Sequence, residues 1–159
     1  MEQLRRGIER LGEALLILLI VVMTLACLGQ VIWRYLFNDP LIWSEELSRY
    51  LFIWISYLGA WVGWRHRQHI AFDAVLLMRS AEIRRFSVRL VEVLVLGFCL
   101  YTAWGSLRLL AVSGDQPSAV LQLPMMWVYL SYPVMAALIS LDIIAGWVVQ
   151  RQRRDDLVA

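Results

Sequence analysis

The chain has 159 residues, of which 60% are hydrophobic and 18% are charged, and its mean hydropathy is +0.63. This composition is too apolar for an ordinary soluble domain and predicts an integral membrane protein. All 15 basic residues are arginine and 13 acids nearly balance them, so the net charge of +2 does not indicate a nucleic-acid partner.

The first apolar run has no charged residue from Ala14 to Ile32 and continues to Arg34. It is longer than the apolar core of a secretory signal, which covers about 7 to 15 residues. We therefore predict a first membrane span over about 12–37. Cys27 and Cys99 both lie inside apolar runs and are interpreted as small hydrophobic residues.

A short polar junction separates this run from the next one. Asn38, Asp39 and Pro40 predict a turn, because Asn and Asp favour turn geometries and proline cannot continue a helix. The uncharged residues 50–64 are too few for a span of about 20 residues. We therefore extend the second span back through the junction, to about 43–64.

The middle of the chain predicts a surface segment followed by two more spans. Arginines alternate with apolar residues over about 70–87, which is typical of an amphipathic segment lying along a membrane. The third and fourth spans are predicted over about 88–112 and 125–149. Pro124 suits the first turn of the fourth helix, and Pro133 should kink it.

The distribution of arginines predicts the orientation. Most of them lie in the N-terminal tail, in the loop between the second and third spans, and in the C-terminal tail. By the positive-inside rule these parts are cytoplasmic. The predicted fold is therefore an all-α integral membrane protein, a single membrane domain over 1–159 with four transmembrane helices, an amphipathic surface helix after the second, and both termini cytoplasmic.

Charged residues at the junction need partners, because charges are costly inside a membrane. Arg34 ends the first span, while Glu45, Glu46 and Arg49 begin the second. Antiparallel helices would bring Arg34 to Glu46, directly or through a lipid, and helical spacing pairs Arg49 with Glu45. This group could be a substrate or ion site, or a structural clamp that fixes the first hairpin or holds a lipid headgroup. We favour the clamp.

Two other groups of polar residues could carry chemistry. Glu92 and Asp142 lie near the cytoplasmic ends of their spans, with Arg89 and Arg151 as expected neighbours, but no polar path crosses the membrane from them.

The two histidines, His66 and His69, lie in the cytoplasmic loop, whereas axial haem ligands would lie within the spans. A zinc site would need further Cys or His ligands, and none lies nearby in the sequence. We therefore predict no cofactor, no metal and no catalytic residue.

Four segments together resemble a known family. They are residues 34–50 (RYLFNDPLIWSEELSRY), 58–60 (LGA), 67–73 (RQHIAFD) and 123–133 (LPMMWVYLSYP). They resemble the small, DctQ-like membrane subunit of tripartite ATP-independent periplasmic (TRAP) transporters. The junction segment is the most specific of the four.

The resemblance implies a noncatalytic subunit in the bacterial inner membrane. Such a subunit would bind a large TRAP membrane subunit, brace the static scaffold of its sodium-coupled elevator, and contact membrane lipids. A periplasmic solute-binding protein would deliver carboxylate-bearing solutes. The resemblance also marks positions of expected structural, interface or lipid-contact importance: Arg34, Trp43, Glu45, Glu46, Arg49 and His69.

Two other function classes remain open. One is a small autonomous transporter acting as a homo-oligomer, with Glu92 or Asp142 as its coupling acid. The other is an anchor subunit of a redox complex, which a haem absorbance spectrum would reveal.

Overall fold

The structure, a computed structural model, describes residues 2–39, 41–66 and 81–155. These ranges are helical, with a loop at 114–125 that contains one isolated bridge between Pro117 and Pro124. The elements are α1 (Glu2–Ile32), a π-helical turn (Trp33–Phe37), α2 (Ile42–Arg65), α3 (Ala81–Ser113), α4 (Met126–Tyr129) and α5 (Ser131–Asp155). The all-α prediction is confirmed for the described residues.

The first two helices form an antiparallel hairpin. The predicted turn is present at Asn38, whose backbone is left-handed with φ 50°, a conformation that Asn tolerates better than most residues. Near the turn, the thiol of Cys27 donates to the hydroxyl oxygen of Ser48 at 3.5 Å. At the opposite end, Nε2 of His66 lies 2.8 Å from Oε1 of Glu13. The two helices therefore pack along their whole shared length.

The last helix, α5, packs against both α2 and α3. Trp54 donates to the carbonyl oxygen of Trp127 at 3.1 Å, and Trp61 donates to Asp142 at 2.8 Å, so α2 and α5 run in the same direction. Against α3, α5 runs antiparallel. The buried core lies mainly on α5, with one residue each from α2 and α3: Trp61, Cys99, Met135, Ala136, Ile139 and Ile143.

A break separates α4 from α5 at Leu130. Proline has no backbone N–H, so Pro133 cannot donate to the carbonyl oxygen of Tyr129, four residues earlier. The predicted disturbance by Pro133 is therefore present, and it interrupts the helix one turn before the proline instead of bending it in the middle.

Among the described residues, three helices are long and apolar enough to cross a membrane, at Gly7–Phe37, Glu82–Ser113 and Met126–Val149. The predicted second span corresponds to α2, which is 24 residues long but contains many serine, tyrosine and tryptophan residues that lower its hydropathy. Of the predicted surface segment at 70–87, residues 70–80 lie outside the described ranges, and 81–87 form the first turns of α3. Four spans and cytoplasmic termini remain predictions.

Candidate functional site

The buried carboxylate of Glu46 joins α2 to the loop at 114–125. Its Oε2 accepts hydrogen bonds from the backbone N–H groups of Val120 and Leu121 at 2.9 and 2.8 Å. Its Oε1 accepts from the hydroxyl of Tyr50, one turn along α2. Hydrogen bonds to an ionised acceptor are stronger than neutral ones. Only 7% of the Glu46 surface is exposed, so this contact is a structural clamp between two parts of the chain.

The loop that Glu46 holds is also closed by its own hydrogen bonds. The hydroxyl oxygen of Ser118 accepts from the backbone N–H of Leu123 at 3.1 Å, and the backbone N–H of Ser118 donates to the carbonyl of Leu123 at 2.9 Å. The backbone N–H of Met125 donates to the carbonyl of Gln116 at 2.9 Å. The loop is therefore held in one conformation next to the start of α2.

The two predicted ion pairs at the junction have different outcomes. Arg49 Nη2 lies 3.4 Å from Oε1 of Glu45, as helical spacing predicted, and both side chains are about two-thirds exposed at 66% and 63%. Arg34 is exposed and forms no ion pair with Glu46. The predicted direct pair is therefore absent, because Tyr50 and two loop amides already occupy the Glu46 carboxylate.

The two remaining predicted site residues are Trp43 and His69. Trp43 is 46% exposed at the first turn of α2, beside the buried hydroxyl of Ser44, which donates to the carbonyl of Leu41 at 2.7 Å. His69 lies outside the described residues. The structure thus brings Glu45, Glu46 and Arg49 together and leaves Trp43 on the surface near them.

Two clusters at the other end of the bundle each combine a tryptophan, an acid and an arginine. In the first, Asp142 accepts a hydrogen bond from the indole N–H of Trp61 at 2.8 Å and lies 3.8 Å from Nη2 of Arg65. The Arg65 guanidinium also lies over the Trp61 ring, 5.5 Å from its centroid. The arginine observed beside Asp142 is thus Arg65 of α2, whereas the side chain of the expected neighbour, Arg151, lies outside the described part of the structure.

The second cluster repeats this arrangement between α3 and α5. Glu92 accepts from the indole N–H of Trp147 at 2.6 Å, and Nη1 of Arg89 lies 3.6 Å away from it. Arg89 also lies over the Trp147 ring at 5.5 Å. The Arg89–Glu92 neighbourhood was expected from the sequence. The tryptophan donors were not, because an indole in an apolar helix is usually a packing or belt residue.

A third group lies at the same end, on the first hairpin. The possible ligand atoms of Glu9, Glu13 and His66 all lie within 4.8 Å of one another. The two acids are four residues apart on α1, and His66 directly follows α2. A search of the sequence for Cys and His neighbours could not find these carboxylates, since more than fifty residues separate them from His66.

Two clefts open on the side of the bundle near Arg49. The larger one, of about 630 Å³, runs between α2, α3 and α5 and is lined mainly by aromatic and aliphatic side chains, including Tyr57 and Tyr132. The smaller one, of about 420 Å³, lies between Glu45 and the loop at 114–125. None of the described side chains around either cleft combines a nucleophile with a base, so their chemistry is that of binding or packing.

Residues 23–153 match the family described as tripartite ATP-independent periplasmic transporters, DctQ component. The chain is 28% identical over 130 residues to the sialic acid TRAP transporter permease protein SiaT of Haemophilus influenzae, covering 82% of this chain and 20% of the relative. It is 31% identical over 130 residues to the isethionate TRAP transporter permease protein DctMQ of Oleidesulfovibrio alaskensis, covering 79% and 20%.

The chain thus spans about a fifth of the length of these two relatives. It covers 78% of the sialic acid TRAP transporter small permease protein SiaQ of Vibrio cholerae, with 28% identity over 141 residues and 84% of this chain aligned. Each of these relatives is a transporter permease protein, which confirms the prediction that the chain is not an enzyme. The chain therefore belongs to the DctQ component family of TRAP transporters, as small permease proteins do.

Proposed function

We propose that the chain is the noncatalytic small subunit that braces the static scaffold of a large, sodium-coupled TRAP membrane subunit. The relatives that are about five times longer support such a pairing, because this chain matches only a small part of each. A periplasmic solute-binding protein would deliver the solute. The relatives are named for sialic acid, isethionate and C4-dicarboxylates, so negative charge is the shared property of the solutes, and carboxylates are the first class to test.

The observation that carries this proposal is the outward apolar surface of α1. None of the most apolar stretch of this helix is buried within the described structure, compared with 28% for the last helix. Ile17, Leu18 and Leu25 are each more than half exposed. Within the described residues α1 packs against α2 and the π-helical turn that follows it, so it offers a long face to lipid or to a partner subunit. Family membership favours the partner for at least part of that face.

The topology that we propose has four spans and cytoplasmic termini. At 24 residues, α2 is about 36 Å long, which exceeds the hydrocarbon thickness of about 30 Å. It packs against α1 and α5, and its contacts extend from the Glu46 clamp with the loop at 114–125 to the Trp61–Asp142 contact with α5. A helix packed against two spans in this way shares their depth, which supports α2 as a further span, the second along the chain, despite its lower hydropathy. The excess of arginine supports a cytoplasmic location for the Asp142 end.

The contacts of Glu92 and Asp142 weigh against an autonomous transporter that uses either acid for coupling. Each carboxylate is bound by a tryptophan N–H and lies beside an arginine. A coupling acid must exchange its proton or ion along a path that reaches both sides of the membrane. These acids instead join neighbouring helices, as a scaffold requires.

The exposed junction residues are proposed as contacts with the large subunit or with lipid headgroups. Arg34, Trp43 and Arg49 all present side chains to the outside at one end of the bundle. Glu46 acts internally through its clamp, and Glu45 accompanies Arg49. We assign His69 to the same class on its family resemblance alone.

The test is purification of the tagged chain from its native membrane in mild detergent, followed by mass measurement of the intact species. We expect a one-to-one complex with a much larger and very hydrophobic protein. Recovery of the chain only with copies of itself would contradict the proposal. In the same experiment Arg34→Ala should lower the yield of the complex, and Asp115→Asn, on the exposed loop, serves as the matched control.

A further inference from the structure

A group of possible metal ligands lies between α1 and α2, at the end of the hairpin away from its turn. It consists of the carboxylates of Glu9 and Glu13 and the imidazole of His66. Their ligand atoms lie within 4.8 Å of one another, and Nε2 of His66 is 2.8 Å from Oε1 of Glu13. Two carboxylates and a neutral imidazole are ligand types that zinc and similar divalent ions accept. We propose that this group binds a first-row divalent transition metal, with Zn²⁺ as the reference ion, and thereby joins α1 to α2.

The donor spacing fits such an ion after small side-chain rotations. Oxygen and nitrogen ligands lie about 2.0 to 2.2 Å from zinc, so ligands of one ion lie roughly 3 to 4 Å apart. The Glu13–His66 distance of 2.8 Å is slightly shorter than this spacing, so the two groups would move apart by a few tenths of an ångström to share one ion. Glu9 and Glu13 are separated by one helical turn on the same face of α1, so a single ion can reach both carboxylates. Water would complete the coordination, because three protein ligands leave a position open.

The charge of the group also favours a cation. Glu9 forms no hydrogen bond or ion pair among the residues that the structure describes, and Glu13 contacts only the His66 ring there. Two like charges one turn apart on a helix repel each other. A divalent ion between them would replace this repulsion with attraction to both carboxylates.

The backbone around the group is held in place before any ion binds. Gly12 is next to Glu13, and the ring of Trp61 lies so close that a Cβ at Gly12 would come within 2.7 Å of its Cη2. Trp61 is 2% exposed and is bound to Asp142, so α1 is fixed against α2 beside the ligands. The free energy of ion binding is therefore not spent on bringing the two helices together.

The test uses the full chain in detergent with a tag that contains no histidine, after removal of metal by a chelator and dialysis. Zn²⁺ affinity is measured by competition with a chromophoric chelator, and Co²⁺ is added separately to record its ligand-field absorption. We expect one ion per chain. Glu13→Gln and His66→Ala should each weaken Zn²⁺ binding more than about tenfold, and Glu9→Gln should do the same.

Two controls make the outcome decisive. Asp115→Asn removes an acid from the exposed loop at the opposite end of the bundle and should leave the affinity unchanged. The second control is the folding of His66→Ala. If this variant is monodisperse and, without metal, has the same melting temperature as the metal-free unaltered chain, misfolding is excluded as the cause of lost binding. Absence of stoichiometric Zn²⁺ binding would overturn the proposal. So would binding that survives His66→Ala and disappears in His69→Ala.

Discussion

The indole N–H of Trp61 on α2 donates to Oδ2 of Asp142 on α5 at 2.8 Å, and the ring that carries it is 2% exposed. This contact holds the Trp61 ring in the buried core near one end of the bundle, and Asp142 also lies 3.8 Å from the almost buried guanidinium of Arg65. One carboxylate therefore stabilises both a buried indole N–H and a buried cation.

Replacing Asp142 should therefore lower stability more than an exposed charge change does. Asp142→Ala removes both the acceptor of the Trp61 N–H and a carboxylate beside the nearly buried Arg65 guanidinium, with an expected cost of about 3 kcal/mol. Trp61→Phe keeps the aromatic ring and loses only the donor, with an expected cost of about 1 to 2 kcal/mol. Thermal unfolding in detergent, followed by tryptophan fluorescence or calorimetry, measures both. Glu45→Ala is the control, since its exposed pair with Arg49 is worth less than about 1 kcal/mol.

The Glu46 clamp predicts which backbone amides exchange slowly with solvent. Glu46→Ala removes the acceptor from the N–H groups of Val120 and Leu121, so their hydrogen exchange should accelerate by about five- to 150-fold, corresponding to the cost of an unmade bond of about 1 to 3 kcal/mol. Glu46→Gln keeps one oxygen and should retain part of the protection. Arg34→Ala should leave both amides protected. Equal loss of protection in Arg34→Ala would contradict the structure of the clamp.

Local sequence rules were enough for the helices, the turn and the contact between Arg49 and Glu45. Each depends on neighbours in the chain: Asn38 tolerates a left-handed backbone, and Glu45 and Arg49 are one turn apart. The acids near the helix ends were also correctly selected as residues that need partners. These features follow from spacing and from the cost of charge in a membrane.

The partners on other helices and loops could not be predicted, because they depend on which faces of the helices meet. Depth matching suggested Arg34 for Glu46, yet the partners are backbone amides of Val120 and Leu121, which have no sequence signature. Asp142 likewise contacts Arg65 on the parallel helix α2. Helix rotation decides such contacts, and apolar residues on nearly every face of these helices give no periodic signal that fixes it.

Gly12 and Gly29 provide a matched test of the α1–α2 contact. At Gly12 a methyl group would collide with the Trp61 ring, whereas at Gly29 it would meet nothing within 4 Å. Gly12→Ala should therefore destabilise the protein by about 1 to 3 kcal/mol through overpacking. Gly29→Ala should be neutral or stabilise by up to about 1 kcal/mol, because alanine is the better helix former. Apparent melting temperatures of the two variants in detergent measure the difference.

A reversed order of the two melting temperatures would show that α1 does not pack against Trp61. Gly12→Ala combined with Trp61→Ala refines the test, since removing the ring also removes the collision. In that background the alanine at position 12 should cost less than it does alone, which a double-mutant cycle detects as a favourable coupling between the two changes.

The Glu92→Gln variant distinguishes a structural role of Glu92 from a role in coupling transport to a proton or an ion. The amide oxygen can still accept from the indole N–H of Trp147, while the attraction to Arg89 at 3.6 Å is lost. We expect a stability loss of about 1 kcal/mol, because the Arg89 side chain is nearly half exposed at 46% and its pair with Glu92 is partly screened. Recovery of the complex with the large subunit should be unchanged.

Uptake of labelled carboxylates by cells that carry the altered chain should also stay near the unaltered rate. A carboxylate that carried the coupling proton could not be replaced by an amide, since the amide does not titrate at physiological pH. Lost uptake in a variant that still assembles normally would therefore favour the autonomous transporter over the scaffold. Asp142→Asn provides the same comparison on α5, where the amide oxygen can still accept from Trp61.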